Sequence, residues 1–287
     1  MERLTILCFG GTYGLALLAE LARFMVRGSA RWYATVGLTA LGWVVQTIYL
    51  ANLARVDHRL PITTVFESMV ALSWIFAAIA LYLMARAAKP VAVGVFVLPV
   101  VLGLIIFAAV LPPSHRAGWA GATVFWGSVH GIFLLLGAVS TCVAFAAGLM
   151  YLAQSDRLKH KRLPRFGFAL PSLEQSERVN RGAITVAFPL LTFGLLIGVA
   201  LGVARAGAGG VVIGWTDPKV LSGLAMWLVF AVLLHARYRP ALRGRSVVWL
   251  TFLAFAFLVF AWVGVEVLGL PTAHGAPRTA SAGRGSP

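Results

Sequence analysis

The sequence predicts an all-α polytopic membrane protein, a helical bundle with about eight transmembrane helices. Of its 287 residues, 60% are hydrophobic and 11% are charged, whereas a soluble domain carries about 25% charged residues. Apolar runs recur along the chain at roughly the 20-residue length that spans a bilayer. We therefore expect one transmembrane bundle over residues 1–274, followed by a disordered tail over 275–287 that is rich in Gly, Ser, Ala and Pro.

Eight apolar segments are candidates for spanning helices. The first lacks a small-residue cleavage site, which favours an uncleaved helix over a signal peptide. The sixth carries Gly194, Gly198 and Gly202 at four-residue spacing, a pattern that lines one face with glycine and permits close helix packing. The predicted segments cover residues 3–25, 32–54, 63–85, 91–111, 125–153, 184–204, 220–236 and 247–270.

The basic residues set the predicted orientation. Sixteen of the 24 Lys and Arg residues fall in the connections between helices 1 and 2, 3 and 4, 5 and 6, and 7 and 8. The positive-inside rule places these connections in the cytoplasm and both termini outside. We expect the membrane to be a bacterial inner (plasma) membrane. Because the net charge of +15 follows this loop pattern, we predict no nucleic-acid partner.

Three histidines lie near the ends of apolar segments. His130 lies about one turn inside the predicted outer end of helix 5, His274 follows the last helix outside, and His235 ends helix 7 on the cytoplasmic side. An intramembrane histidine is a functional candidate by default, and neutral imidazole is a common ligand of haem iron. His130 and His274 can meet on the outer side, whereas His235 would serve an inner stage. We predict non-covalent haem b with two-histidine ligation, because the chain has no C-x-x-C attachment motif.

Neighbouring residues leave two interpretations of each candidate. Trp126 lies four residues before His130 on one helical face, so it can wall a haem plane or be an interfacial aromatic beside a hydrogen-bonded histidine. His235 precedes four arginines, which can pair haem propionates or belong to an ordinary positive-inside loop. Taken alone, Trp215 and Asp217 form an interfacial tryptophan followed by a turn.

Other chemistry is weakly indicated. The carboxylates of Glu67 and Glu266 lie near predicted outer helix ends, where hydrogen bonds to polar loop residues would offset their burial. The sequence contains no Ser-His-Asp order, phosphate-cradling glycine loop or metal-hydrolase motif, so it shows no self-contained active site. The two halves show no convincing repeat, which disfavours a small-solute transporter built from inverted repeats.

Five short motifs occur in order along the chain, and His274 follows them. They are His58-Arg-Leu-Pro-Ile-Thr-Thr-Val-Phe-Glu-Ser68, Trp126-Gly-Ser-Val-His130, Phe188-Pro-Leu-Leu-Thr-Phe-Gly194, Trp215-Thr-Asp-Pro-Lys219 and Leu234-His-Ala-Arg237. Together they resemble the CcsA/HemX family of haem-handling membrane proteins, also called the cytochrome c assembly protein family, over about residues 55 to 275.

This resemblance implies that haem is received within the membrane and presented outside to apocytochrome c, with a CcsB-type membrane partner. It assigns His130 and, by position, His274 as outer haem ligands, and His235 as the intramembrane ligand. Trp215 and Asp217 match the end of the family's tryptophan-rich loop, against which haem lies. The chain would then be the membrane subunit of a cytochrome c synthase.

The sequence departs from the family pattern in the tryptophan-rich loop. Only Trp215 and the Asp-Pro-Lys remain, and Val220 stands where the family has Glu. This departure keeps open a HemX-like role, in which the protein regulates or scaffolds tetrapyrrole synthesis without cytochrome maturation.

Overall fold

A computed structural model describes residues 2–22, 29–58, 60–86, 92–110, 122–161, 170–207, 215–236, 244–268 and 270. The regular secondary structure in these ranges is helical, with no strand, so the predicted all-α membrane bundle is confirmed. Seven helices are long and apolar enough to cross a membrane, and the apolar part of the first, Ile6–Leu21, is shorter. The helices are α1 Glu2–Leu21, α2 Ser29–Asp57, α3 Val65–Arg86, α4 Val93–Val110, α5 Ala122–Lys159, α6 Leu173–Gly207, α7 Pro218–Ala236 and α8 Arg245–Val259.

The eight helices form two four-helix units with the same pattern of contacts. In the N-terminal unit, α1 to α4, each helix packs on the next and α1 packs on α4. In the C-terminal unit, α5 to α8, each helix again packs on the next and α5 packs on α8. Contacts of α3 and α4 with α5 join the units. The sequence did not reveal this correspondence, because the two units have different residues at equivalent helix positions.

The α5–α6 pair is the most extensive helix contact and contains three glycine positions. Gly137 of α5 faces the Leu191 side chain, and Gly194 of α6 faces that of Leu134. Gly198 faces the imidazole of His130, so the predicted glycine face packs at two of its three positions. The third, Gly202, has no atom within 4 Å of the place where a Cβ would lie.

Helices α5 and α6 extend beyond the predicted segments. The 38 residues of α5 correspond to about 57 Å, against about 30 Å of hydrocarbon in a bilayer. The start of α6 lies at Leu173 rather than at 184, because Ser172 accepts a hydrogen bond from the Gln175 backbone N–H (3.1 Å). Ion pairs from Glu174 and Glu177 to the arginines four residues later stabilise these polar turns.

The last helix changes its hydrogen-bonding pattern near its end. After Val259 the chain forms a π-helical turn, Phe260–Gly264, and then a short α-helix, Val265–Val267. Glycine at 264 leaves room for the Phe260 ring, because a Cβ there would lie 2.6 Å from Phe260 Cδ2. His274, the tail 275–287 and the Glu266 side chain lie outside the described residues.

Candidate haem-binding site

His130 lies about two turns from the start of α5 and faces α6. Its Nδ1 atom is 2.7 Å from the backbone carbonyl oxygen of Gly194. A carbonyl oxygen only accepts, so Nδ1 carries the hydrogen in this bond, and the lone pair of the neutral imidazole is on Nε2. Histidines that ligate metals typically donate their other ring N–H in this way. The arrangement therefore fits ligation of a haem iron by His130 Nε2.

The close approach of His130 to α6 depends on glycine. A Cβ at Gly198 would lie 2.7 Å from His130 Cε1 and 3.1 Å from Nδ1, closer than side-chain atoms pack. Any larger residue would push the ring away from the Gly194 carbonyl. The sequence predicted the glycine face but not the histidine packed on it.

The start of α3 packs beside His130. A Cβ at Gly131 would lie 3.4 Å from the Ile62 side chain, which places residues just before α3 against the next position of α5. The starts of α3 and α5 thus share one end of the bundle, which we call the His130 end. The family-like motif at 58–68 includes Ile62, so it lies next to the candidate ligand.

Glu67 holds this segment in place and is itself only 4% exposed. One carboxylate oxygen accepts hydrogen bonds from the Thr63 backbone N–H and hydroxyl, both at 2.8 Å, and from the Thr64 N–H at 3.3 Å. The Thr64 hydroxyl accepts the Glu67 N–H at 3.0 Å, which completes a capping box at the start of α3. The prediction that Glu67 bonds polar residues of the preceding loop is confirmed.

The other side of α6 contacts α7 through Trp227. The indole Nε1–H donates to the Thr192 hydroxyl at 2.8 Å. The ring also stacks on Phe188, with 5.5 Å between centroids and 27° between planes. Both partners belong to the motif at 188–194, whose last residue, Gly194, accepts the His130 bond. The sequence placed Trp227 on the helical face of His235 but did not indicate its contact with this motif, because the partners are distant in sequence.

The aromatic residues predicted near the haem are exposed. Trp126 lies one turn before His130, is 53% exposed and meets Phe125 edge to face at 5.5 Å between centroids. Trp215, just before α7, is 70% exposed. Among the described residues, no group of three or more His, Cys, Asp or Glu side chains is arranged to hold a metal ion.

Asp217 is a helix cap in this structure. It is 7% exposed, and its Oδ1 accepts a hydrogen bond from the Lys219 backbone N–H at 2.9 Å. Its own carbonyl accepts the Leu221 N–H, and Pro218 occupies the first helical position. This cap gives the Asp-Pro-Lys motif a structural role at the start of α7. The predicted role of Asp217 in cofactor binding stays a prediction.

His235 is exposed at the far end of α7. A Cβ at Gly223 of the same helix would lie 3.6 Å from the side chain of Leu195, the residue after Gly194, so Gly223 marks the level of His130. The interval from Gly223 to His235 corresponds to about 18 Å along α7. The structure therefore separates His130 from His235, and one iron atom cannot bind both.

Comparison with known proteins identifies the family. Residues 62–271 match the family model described as cytochrome C assembly protein. The cytochrome c biogenesis protein CcsA of Guillardia theta is 27% identical, covering 83% of this chain and 84% of its own. The CcsA of Synechococcus sp. strain CC9605 is also 27% identical, covering 94% and 95% respectively. No solved structure gives a significant match. Because the family match runs from the start of α3 past the end of α8, this chain belongs to the cytochrome c assembly protein family.

Proposed function

We propose that this protein is an integral membrane haem-handling subunit of cytochrome c biogenesis. It binds haem b without a covalent bond and presents it at the outer face to apocytochrome c, together with a CcsB-type membrane partner. Family membership supports the role in cytochrome c biogenesis, and relatives named for that process cover nearly the whole chain. The observation that carries the haem site is the hydrogen bond from His130 Nδ1 to the Gly194 carbonyl.

In this proposal, His130 through Nε2, together with His274, would hold the haem iron. Bound haem supplies the iron that the imidazoles ligate and the vinyl groups through which a cytochrome is attached. The chain holds and orients it: the Gly194 carbonyl fixes the His130 ring, and the exposed Trp126 one turn away offers a flat wall. Trp215, exposed ahead of α7, would cover the haem from the loop side.

His235 belongs to an earlier, inner stage. It lies about 18 Å along α7 from the level of His130, and the positive-inside rule puts its end of the bundle in the cytoplasm. The arginines that follow it in sequence would pair haem propionates there. The His130 end then faces outward, where apocytochrome c is met.

An absorption spectrum of the purified protein tests the haem site. Wild-type protein is expected to show low-spin haem b, and His130→Ala should lose this spectrum, with partial recovery on adding imidazole. His160→Ala is the matched control, because His160 also bonds a backbone carbonyl through Nδ1, that of Asp156 at 2.9 Å, but on the surface. Unchanged haem content and spectrum in His130→Ala would refute the assignment.

Cytochrome c yield in cells separates the two haem-binding roles. Under the proposed function, His130→Ala lowers the amount of mature cytochrome c while tetrapyrrole levels stay unchanged. A HemX-like role, which the Val220 departure keeps open, predicts instead that His130→Ala changes tetrapyrrole levels and leaves the amount of mature cytochrome c unchanged.

A further inference from the structure

The motif at 188–194 presents two different faces of α6 to two neighbouring helices. Phe188 and Thr192, one turn apart, contact Trp227 of α7. Gly194 and Gly198, also one turn apart, contact His130 of α5. Two residues correspond to a rotation of about 200° around a helix, so Thr192 and Gly194 lie on nearly opposite sides. Any rotation of α6 that moves Thr192 therefore moves the Gly194 carbonyl as well.

Pro189 weakens the internal hydrogen bonding of α6, so contacts with neighbouring helices contribute more to its local geometry. Proline has no backbone N–H, so the usual hydrogen bond to the carbonyl four residues earlier, at Thr185, is not formed by Pro189. The helix therefore has one backbone bond fewer between Thr185 and Pro189, in the turn just before Thr192 and Gly194. Contacts with the neighbouring helices then have more influence on where the Gly194 carbonyl points.

We propose that Trp227 and Thr192 are positioning residues for His130. Their hydrogen bond, with the stacking of Trp227 on Phe188, fixes the rotation of α6 and thereby the Gly194 carbonyl that orients the imidazole. This inference rests on the proposed function and adds to it: α7, which also carries His235, takes part in setting the ligand geometry at His130.

The N-terminal unit contains the same arrangement without a histidine. Trp74 of α3 donates its Nε1–H to the Thr47 hydroxyl of α2 at 2.7 Å. Trp43, four residues before Thr47, stacks on Trp74 with 5.6 Å between centroids and 9° between planes, as Phe188 stacks on Trp227.

What differs between the units is the residue two positions after the threonine. In α6 this is Gly194, which accepts the His130 bond. In α2 it is Tyr49, whose ring packs on Phe9 of α1 with 5.9 Å between centroids. The same tryptophan–threonine contact thus secures an aromatic pair in one unit and the candidate haem ligand in the other. The Trp74–Thr47 hydrogen bond can therefore serve as a control for the Trp227–Thr192 hydrogen bond.

The experiment uses conservative variants of the full-length purified protein. Trp227→Phe keeps a ring to stack but removes the N–H, and Thr192→Val keeps the shape but removes the hydroxyl. Each is expected to retain haem with a mixed high-spin and low-spin spectrum. Haem release should be about tenfold faster. This is the low end of the loss of affinity that is typical when a residue supporting a metal ligand is changed. The double variant should be no worse than Thr192→Val alone, because that change already removes the bond to Trp227, together with the bond from the Thr192 hydroxyl to the Phe188 carbonyl.

Three comparisons exclude a general loss of structure. Thr192→Ser keeps the hydroxyl and should restore the wild-type spectrum. Trp74→Phe and Thr47→Val remove the equivalent bond in the N-terminal unit and should leave the spectrum and haem release unchanged.

The outcomes separate this inference from the proposed function. If His130→Ala changes the spectrum but Trp227→Phe and Thr192→Val keep wild-type spectra and release rates, the positioning role is refuted and the haem site stands. Equal spectral changes in the Trp74 and Thr47 variants would also refute it. If His130→Ala itself has no effect, the proposed function fails first.

Discussion

Gly198 lies directly against the imidazole of His130, and a Cβ there would come 2.7 Å from Cε1. The contact explains why α5 and α6 approach so closely at this level. It also places a backbone position, rather than a side chain, in control of where the candidate ligand lies. The hydrogen bond from His130 Nδ1 to the Gly194 carbonyl, at 2.7 Å, also requires the two helices to pack this closely.

The first prediction is that Gly198→Ala displaces His130. The added methyl group overlaps the ring, so the imidazole must rotate and lose its bond to the Gly194 carbonyl. We expect low-spin haem to be partly converted to high-spin, and haem affinity to fall by about 10- to 100-fold. Haem titration followed by absorption measures both effects.

Gly202→Ala provides the control for Gly198→Ala. It lies on the same helix one turn on and has open space where a Cβ would be. Its spectrum and haem affinity should match those of the wild-type protein. Equal effects of the two substitutions would indicate a general response of α6 and contradict the contact with His130.

The second prediction concerns the capping box at the start of α3. Glu67→Ala removes the acceptor of three hydrogen bonds from Thr63 and Thr64, and should lower the free energy of unfolding by about 1–2 kcal/mol. Glu67→Gln should cost less, because glutamine also completes a capping box. Thermal unfolding in detergent measures the difference. Glu174→Ala, which removes an exposed ion pair, should change the free energy of unfolding by well under about 1 kcal/mol.

The third prediction concerns the buried polar contacts that join α1, α2 and α3. The Tyr13 hydroxyl donates to Gln46 Oε1 at 2.8 Å, and Gln46 Nε2 donates to the Val70 carbonyl and the Ser73 hydroxyl at 3.0 and 2.7 Å. Gln46→Leu leaves the Tyr13 hydroxyl without this acceptor and should destabilise the protein by about 1–3 kcal/mol.

A double substitution tests whether the lost partner is the cause. Adding Tyr13→Phe to Gln46→Leu removes both members of the pair and should recover part of the stability, since no buried donor remains without its acceptor. If the double variant is as unstable as the sum of the two single variants, Tyr13 and Gln46 are not energetically coupled.

The number and order of helices could be predicted from the sequence, because a bilayer requires long apolar runs. Apolar length alone missed the polar start of α6, although the capping-box spacing of Ser172 and Gln175 and the Glu174–Arg178 pair both indicate helix outside the spanning run. The π-helical turn at 260–264 was also missed, because its sequence is as apolar as the helix around it.

At the candidate site, the sequence identified the residue types but not their partners. His130 stood out because imidazole is costly in hydrocarbon. Its acceptor is a backbone carbonyl, which every residue has, so nothing in the sequence distinguished Gly194 in that role. Glu67 was predictable, because Thr64 lies three residues before it, the spacing of a capping box. Asp217 before Pro218 also has the pattern of a helix start, which the structure shows.

The last prediction concerns His235. It is exposed near the end of α7, about 18 Å along the helix from the level of His130, so it cannot share an iron atom with that residue. If it serves an inner stage, His235→Ala should lower the amount of haem bound at the His130 site without changing the spectrum of the haem that still arrives. His130→Ala should instead change the spectrum itself.

His160 is another exposed histidine on the predicted cytoplasmic side, and His160→Ala should alter neither the amount of bound haem nor its spectrum. Haem content per protein, the absorption spectrum and cytochrome c yield together decide the matter: unaltered loading and yield in His235→Ala would make this histidine an ordinary interfacial residue.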